Sequence, residues 1–266
     1  MSEWELPDRP VIGILHPGAM GAALGSALKR RAGAVIWADA GRSHATAKRA
    51  ELADLVAVPA VEDLARRAHL VISICPPGAA REVAEQVAAA VEGRRRRPLF
   101  VEANAVSPGT VTGMADLFPD DGLVDAAVIG PPAWEQGTTV LWLSGPHATL
   151  VEALFAGTPF DARHLGPELG RASALKACFA LQSKALPAIW LALDEAARTL
   201  GVDEPLRAEL ARTGVDYPSR LEAITRVAKE KGWRWVAEME EAAATLSAAG
   251  VPPGFSEAAA EMYRRT

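Results

Sequence analysis

The sequence predicts an α/β protein: a doubly wound parallel sheet followed by a smaller all-helical domain. Three observations carry this. Short β-type runs alternate with helical segments through the first ~165 residues, the pattern of a parallel sheet with crossover helices. A glycine-rich turn follows the first of those runs. Beyond Gly166-Pro167 the strand patterns stop and Ala/Leu-rich helical stretches take over.

Strands are expected at Val11–Leu15, Ala34–Ala38, Leu70–Ile74, Leu99–Glu102, Leu123–Val128 and Thr139–Ser144, with helices between most of them. Gly145–Gly157 reads as one more helix, followed by a short strand at Phe160–His164. Glu168–Leu200 is a long helical stretch in which Pro187 is a potential kink. Further helices are expected over Leu206–Thr213, Pro218–Lys231, Trp235–Ala249 and Ser256–Arg265, separated by Gly and Pro punctuation. The boundary falls near residue 165, with a nucleotide-type α/β domain over 1–165 and a helical domain over 166–266.

A chain of 266 residues, half of them hydrophobic, can bury a substantial core. Its net charge of −5 gives no reason to expect nucleic acid or an anionic membrane as partner. Arg94–Arg97 accordingly read as a solvated loop. The opening MSEWELPDRP is polar and acidic, unlike a signal peptide, and no apolar run is long enough to span a bilayer. The two cysteines, Cys75 and Cys178, lack metal-ligand spacing and read as small packed thiols in a reducing cytoplasm. Glu238, Glu240 and Glu241 share a helix without His or Cys partners, so no metal is expected. Trp233 and Trp235 read as packing residues of the helical half.

The turn lies in VIGILHPGAMGAALGSAL, Val11–Leu28. A strand, a tight turn and a helix N-terminus in this order form a diphosphate site of the Rossmann type, because free helix N–H groups point at the anion. In G-x-G-x-x-G the glycines serve the turn, the backbone approach to the pyrophosphate, and close helix–strand packing. Gly18 and Gly21 hold the second and third places, and His16 replaces the first. His16 fits if its φ stays negative, with Pro17 stiffening the turn and Ala19 and Met20 opening the helix. The alternative is an ordinary strand–helix junction. His16 reads as a structural or diphosphate-edge residue rather than a catalyst.

An acid at the end of the second strand would bind a ribose 2′-hydroxyl. Alternation puts Ala38 at that place, with Asp39 turned away and Arg42 and Ser43 following in a Gly-opened loop. A guanidinium and a hydroxyl suit a 2′-phosphate, which favours NADPH over NADH. Ser43 also fits a helix N-cap and Arg42 a solvated loop residue. If Asp39 faces the ribose instead, the preference reverses.

Four further stretches occur in order: CPPG (Cys75–Gly78), EANAVSPGT (Glu102–Thr110), DAAVIGPP (Asp125–Pro132) and GRASALKACF (Gly170–Phe179). In this order they resemble the β-hydroxyacid dehydrogenase superfamily, which includes 6-phosphogluconate and 3-hydroxyisobutyrate dehydrogenases and the imine reductases. RWVAEMEEAAATLSAAGVPP, Arg234–Pro253, is similar to the C-terminal signature of a bacterial branch of poorly defined function. The resemblance implies roles. The D-x-S-T-x-x-P substrate loop falls on Glu102, Asn104, Ala105 and Pro108, so Asn104 stands in for a serine facing substrate or nicotinamide ribose. The S-G-G carboxylate-binding turn falls on Ile129, Gly130 and Pro131, without its hydroxyl donor. The G-x-x-x-x-x-K motif falls on Gly170 and Lys176, which makes Lys176 the general acid/base. Phe179 and Ala180 occupy the places of the family's asparagine. These departures imply a more apolar site than a simple hydroxyacid needs. Cys75, Pro76 and Pro77 shape a turn along the cofactor, and Trp134 is a candidate lining residue of the substrate pocket.

Hydride arriving at a carbonyl leaves negative charge on oxygen, which a nearby ammonium stabilises and protonates. Lys176 among Ala172, Ala174, Leu175 and Ala177 has the apolar surroundings this asks for. A lysine on a long helix is otherwise an ordinary surface charge. Ser183, seven residues on, shares its face on an α-helix and is a further substrate-side candidate, beside Gln182 and Lys184. The expectation is an NADPH-dependent oxidoreductase acting on a small carbonyl or hydroxy substrate, in a homodimer with exchanged helical domains as the resemblance implies. An imine reductase is the second reading, with Lys176 counting against it. The third is a non-catalytic nucleotide-binding protein that kept the fold.

Overall fold

The computed structural model describes residues 4–266, so Met1–Glu3 of the opening segment lie outside the described residues. Contacts divide the chain into two compact units, Met1–Lys176 and Ala177–Thr266. Each is built around its own apolar residues.

The first unit alternates β1 (Val11–Leu15), α1 (Ala19–Leu28), β2 (Ala34–Ala38), α2 (His44–Leu52), β3 (Val56–Val58), α3 (Val61–Arg67), β4 (Leu70–Ser73), α4 (Ala80–Ala90) and β5 (Leu99–Glu102). It continues with α5 (Pro108–Thr112), β6 (Leu123–Ile129), β7 (Thr139–Ser144), α6 (Ala148–Phe155) and β8 (Phe160–His164). The strands form one sheet in the order β3-β2-β1-β4-β5-β6-β7-β8. All pairs are parallel except β6 with β7. The order reverses between β1 and β4, the switch point where nucleotide folds open a crevice at the strand ends.

Alternate residues of each strand serve opposite faces. Ile12, Ile14, Ile72, Val101 and Val124 pack into one buried layer, and Leu15, Val71, Phe100 and Leu123 into the other. Burial on both sides explains why these strands read as near-continuous apolar runs. The sequence reading omitted β3. It is three residues long at the sheet edge, with Val56 and Ala57 exposed, and carries too little apolar pattern to stand out.

The second unit takes the remainder of α7 (Arg171–Ala180), a π-helical segment at Leu181–Ala185, α8 (Leu186–Thr199), α9 (Asp203–Arg212), α10 (Tyr217–Ala248) and α11 (Gly254–Arg264). Pro187 stands at the second residue of α8, directly after the π-helical segment. Proline lacks an N–H and is tolerated in a helix's first turn. The Tyr263 hydroxyl donates to the Lys184 carbonyl at 2.6 Å, and the Lys184 ammonium pairs with Glu238 at 2.8 Å.

Two expectations are corrected in this unit. Pro218–Lys231 and Trp235–Ala249 are one uninterrupted helix: Gly232 is buried within it, where an added Cβ would lie 3.7 Å from the Tyr263 ring, and it is not a break. Only Trp235 packs inside, edge-on to Tyr263 at 5.0 Å; Trp233 is 68% exposed. Among the described residues no helix is long and apolar enough to cross a membrane.

Candidate cofactor and active site

The turn after β1 is where the fold and the fingerprint meet. His16 has φ +64, so the expectation of a negative φ is wrong. The position demands the left-handed conformation that a glycine ordinarily supplies, and histidine is among the residues that tolerate it. The His16 carbonyl accepts from the Gly18 N–H at 2.7 Å, which closes the turn. A Cβ on Gly21 would lie 2.8 Å from that carbonyl oxygen and 3.1 Å from Ile74, so only glycine lets α1 approach the turn so closely. A Cβ on Gly18 meets nothing within 4 Å. No side chain caps α1, and its first residues Ala19 and Met20 stand at this opening. The result is an open cradle at a helix N-terminus.

Two buried nitrogen atoms have no partner at this place: Nδ1 of His16 and Nε of Arg42. Burial first, and then the Arg42 charge, push the imidazole down to about 4, so His16 is neutral near pH 7. Arg42 therefore acts electrically on the turn from the loop after β2. Ser43 caps α2, its hydroxyl accepting from the Thr46 N–H at 3.2 Å. Ala38 is buried, and Asp39 is exposed. The open cradle at the helix N-terminus, with the unpartnered Arg42 Nε beside it, fits the anionic part of a nicotinamide dinucleotide.

The residues of the next turns are brought together by strand register. Leu15 pairs with Ser73, Ser73 with Glu102, Glu102 with Asp125, and Asp125 with Ser144. A lateral row therefore crosses the sheet, and its Ser73, Glu102, Asp125 and Ser144 are all fully buried. Asn104 is buried beside it and ties the row to the turn after β4. Its N–H donates to Glu102 Oε1 at 2.9 Å, its Nδ2 donates to Ser73 Oγ at 3.2 Å, and its Oδ1 accepts from the Cys75 N–H. Its amide thus staples two strand ends, where the sequence reading had it facing substrate. Pro76 and Pro77 continue that turn into a short 3-10 segment.

The other end of the row holds α7. Asp125 accepts from the Ser173 N–H at 3.0 Å, the Ser173 hydroxyl at 2.6 Å and the Ser144 hydroxyl at 3.0 Å. Ser144 Oγ in turn accepts from the Ala172 N–H at 3.1 Å. A buried carboxylate at a helix N-terminus satisfies orphan donors and suits the positive end of the dipole. Gly170 precedes the helix at φ +89, where a Cβ would lie 2.9 Å from Pro108, so the G-x-x-x-x-x-K glycine is a close-contact residue. Lys176, half-buried one turn beyond Ser173, acts electrically on Glu102. The roles of Ser73, Asp125, Ser144 and Ser173 were missed in the sequence.

Burial pushes Glu102 up to about 8; bonds from Asn104 oppose this, Asp125 reinforces it and Lys176 opposes it. Burial also raises Asp125 against its serine and backbone donors. Cys75 is pushed up to about 12, by burial and then by Glu102, and is a packed thiol at neutral pH. Cys178 is exposed, contrary to expectation.

Gly130 has φ +136, and a Cβ there would lie 2.5 Å from the Thr138 carbonyl oxygen. The Pro131 carbonyl accepts from the Thr139 hydroxyl at 2.5 Å. The Ile129-Gly130-Pro131 turn is thereby fixed at the end of β6, with Trp134 60% exposed just after it. Ser183 lies in the π segment and donates to its own Phe179 carbonyl at 3.0 Å. The seven-residue face rule presumes an unbroken α-helix and does not apply across that segment.

Residues 4–111 match the family model described as a Rossmann-like domain, and residues 197–266 match a domain of unknown function, DUF1932. An uncharacterized 28.5 kDa protein encoded in the 7S RNA 5′ region of Methanothermus fervidus is 30% identical over 174 residues. The match spans 65% of this chain and 65% of that relative's length. A conserved protein of unknown function, solved and reported as structurally similar to 3-hydroxyacid dehydrogenases, is 25% identical with TM-score 0.66 over 96% of both chains. 3-Hydroxyisobutyrate dehydrogenase of Mycobacterium tuberculosis superposes with TM-score 0.66 at 19% identity over 97% of this chain and 93% of its own. A reductive aminase from Aspergillus terreus, solved with NADPH and ethyl levulinate, does so with TM-score 0.58 at 18% identity over 97% and 93%. The chain has the fold of the nicotinamide-dependent 3-hydroxyacid dehydrogenases and imine reductases. Along the chain the Rossmann-like match is followed by the DUF1932 match.

Proposed function

We propose that the chain is an NADPH-dependent oxidoreductase that transfers hydride between the nicotinamide and a small carbonyl or hydroxy substrate, with Lys176 as general acid/base. One observation carries the reading. The first turn of α7, one turn before Lys176, is clamped by Asp125 to the row of strand-end residues that also shapes the Cys75–Pro77 turn. Gly18, Ala19, Met20 and Gly21 receive the diphosphate, with His16 and Pro17 forming the bend. Arg42 meets the 2′-phosphate. The bound cofactor supplies the hydride. Lys176 neutralises charge on the substrate oxygen and delivers the proton, and Asn104 holds the two strand-end turns in place. Ile129, Gly130 and Pro131 form the substrate-side turn, and Trp134 lies beside it. The exposed Phe179, Leu186, Ile189 and Trp233 of the helical unit support a homodimer with exchanged helical domains, which a monomer in sedimentation would remove.

The test is NADPH oxidation with a panel of ketoacids, aldehydes and cyclic imines. Turnover of a carbonyl is expected. Turnover of imines alone would select the imine reductase reading, and tight NADPH binding without any turnover would select the nucleotide-binding one. Arg42→Ala is expected to weaken NADPH at least about tenfold, the loss of one charge-assisted contact, and to leave NADH unchanged. Equal effects in titrations of the two cofactors would remove Arg42 from 2′-phosphate recognition.

A further inference from the structure

Two acids stand abreast beneath the first turn of α7. Glu102 and Asp125 are register partners on neighbouring parallel strands, so their side chains leave the sheet on the same face, and both are fully buried. Their surroundings differ. Asp125 accepts three hydrogen bonds at a helix N-terminus. Glu102 accepts from the Asn104 N–H through Oε1, and its Oε2 is buried with no partner. The titratable groups facing Glu102 are Asp125 on β6 and Lys176 on α7, with the neutral Cys75 thiol in the turn after β4.

We propose that Glu102 and Asp125 work as one carboxyl pair holding a single proton, and that ionisation of Glu102 in this pair acts on Lys176. Two adjacent buried carboxyls do not both ionise at neutral pH, because mutual repulsion and desolvation act together. The three donors keep the charge on Asp125, so the proton sits on Glu102. The pair then carries one negative charge while Lys176 acts on Glu102 from α7. When Glu102 ionises at higher pH, a second negative charge holds the ammonium more tightly and its proton becomes harder to donate. Glu102 is a positioning residue, acting through Lys176 and not on substrate.

The inference rests on the reading of Lys176 as the acid/base, but its test needs no turnover. Lysines are converted to their 13C-dimethyl forms, and the Lys176 resonance, assigned with K176R, is followed against pH. In wild type it is expected to show an inflection near pH 8. In E102Q that inflection is expected to be absent. The same curve in both proteins overturns the proposal, and so does a wild-type curve without the inflection. Infrared difference spectra of wild type across about pH 6 to 9 give a readout that survives poor folding of the variant. Loss of one protonated-carboxyl band is expected, and no change in that band overturns the proposal. Absence of turnover in the substrate panel, with the inflection present, would count against the enzymatic reading alone. In an active enzyme, E102Q is further expected to flatten the alkaline limb of kcat/KM for reduction.

Discussion

Asp125→Ala is expected to destabilise the protein by about 3–5 kcal/mol, because three buried donors lose their acceptor at roughly 1–3 kcal/mol each. The carboxylate joins β6 to the first turn of α7 through Ser173 and to β7 through Ser144. Its removal strands one helix N–H and two hydroxyls away from water, and buried unsatisfied donors are costly. Burial raises the folded-state carboxyl above its ordinary range, which opposes ionisation, whereas the three donors favour the ionised form. The loss is therefore dominated by the broken donors and exceeds what a surface acid contributes. Chemical denaturation of variant and wild type checks this. A change below about 1 kcal/mol, the range of an exposed contact, would mean that Asp125 does not anchor the helix.

Lys176→Ala is expected to lower kcat by roughly 10²–10⁴-fold, the contribution of a positioned proton donor. The Kd for NADPH is expected to stay within about twofold, because the residues assigned to the diphosphate belong to the β1–α1 turn. The contrast between the two constants is the informative result. Equal losses in binding and turnover would point to a collapsed site, and undiminished kcat would take Lys176 out of the chemistry. Steady-state rates with a turned-over carbonyl, alongside cofactor titration, measure both.

Much of the fold was legible in the sequence because strands buried on both faces leave dense apolar runs bounded by polar turns. The expected strands at Val11–Leu15, Ala34–Ala38 and Leu99–Glu102 coincide with β1, β2 and β5. The short edge strand β3 left no such signature. Gly232 misled because glycine commonly marks helix ends, and only its burial against Tyr263 within an unbroken helix shows that it does not do so here. His16 carried a usable signal, since it occupies a fingerprint position that asks for a turn glycine. A positive φ follows from that place, and histidine adopts it more readily than most residues.

The carboxyl row was hidden for a different reason. Ser73, Glu102, Asp125 and Ser144 come from four strands, and only inter-strand register sets them side by side. Register is a lateral property that residue patterns along one strand do not encode. Glu102 was aligned with a family motif, yet the polar staple of Asn104 and the clamp on α7 emerged only once neighbouring strands were in place.

The central claim is that the bend between β1 and α1 grips a diphosphate, and Gly18→Val tests it most directly. Gly18 has φ −65 and ψ −166, and an added Cβ meets open space, so the cofactor-free protein should lose no more than about 1 kcal/mol, the scale of an altered helix cap. The side chain would project into the space assigned to the pyrophosphate. Titration of wild type and Gly18→Val with NADPH is expected to show tight binding in the first and a Kd raised at least about tenfold in the second, at nearly unchanged Tm. Equal affinity in the two proteins, or no binding by wild type, would contradict the account.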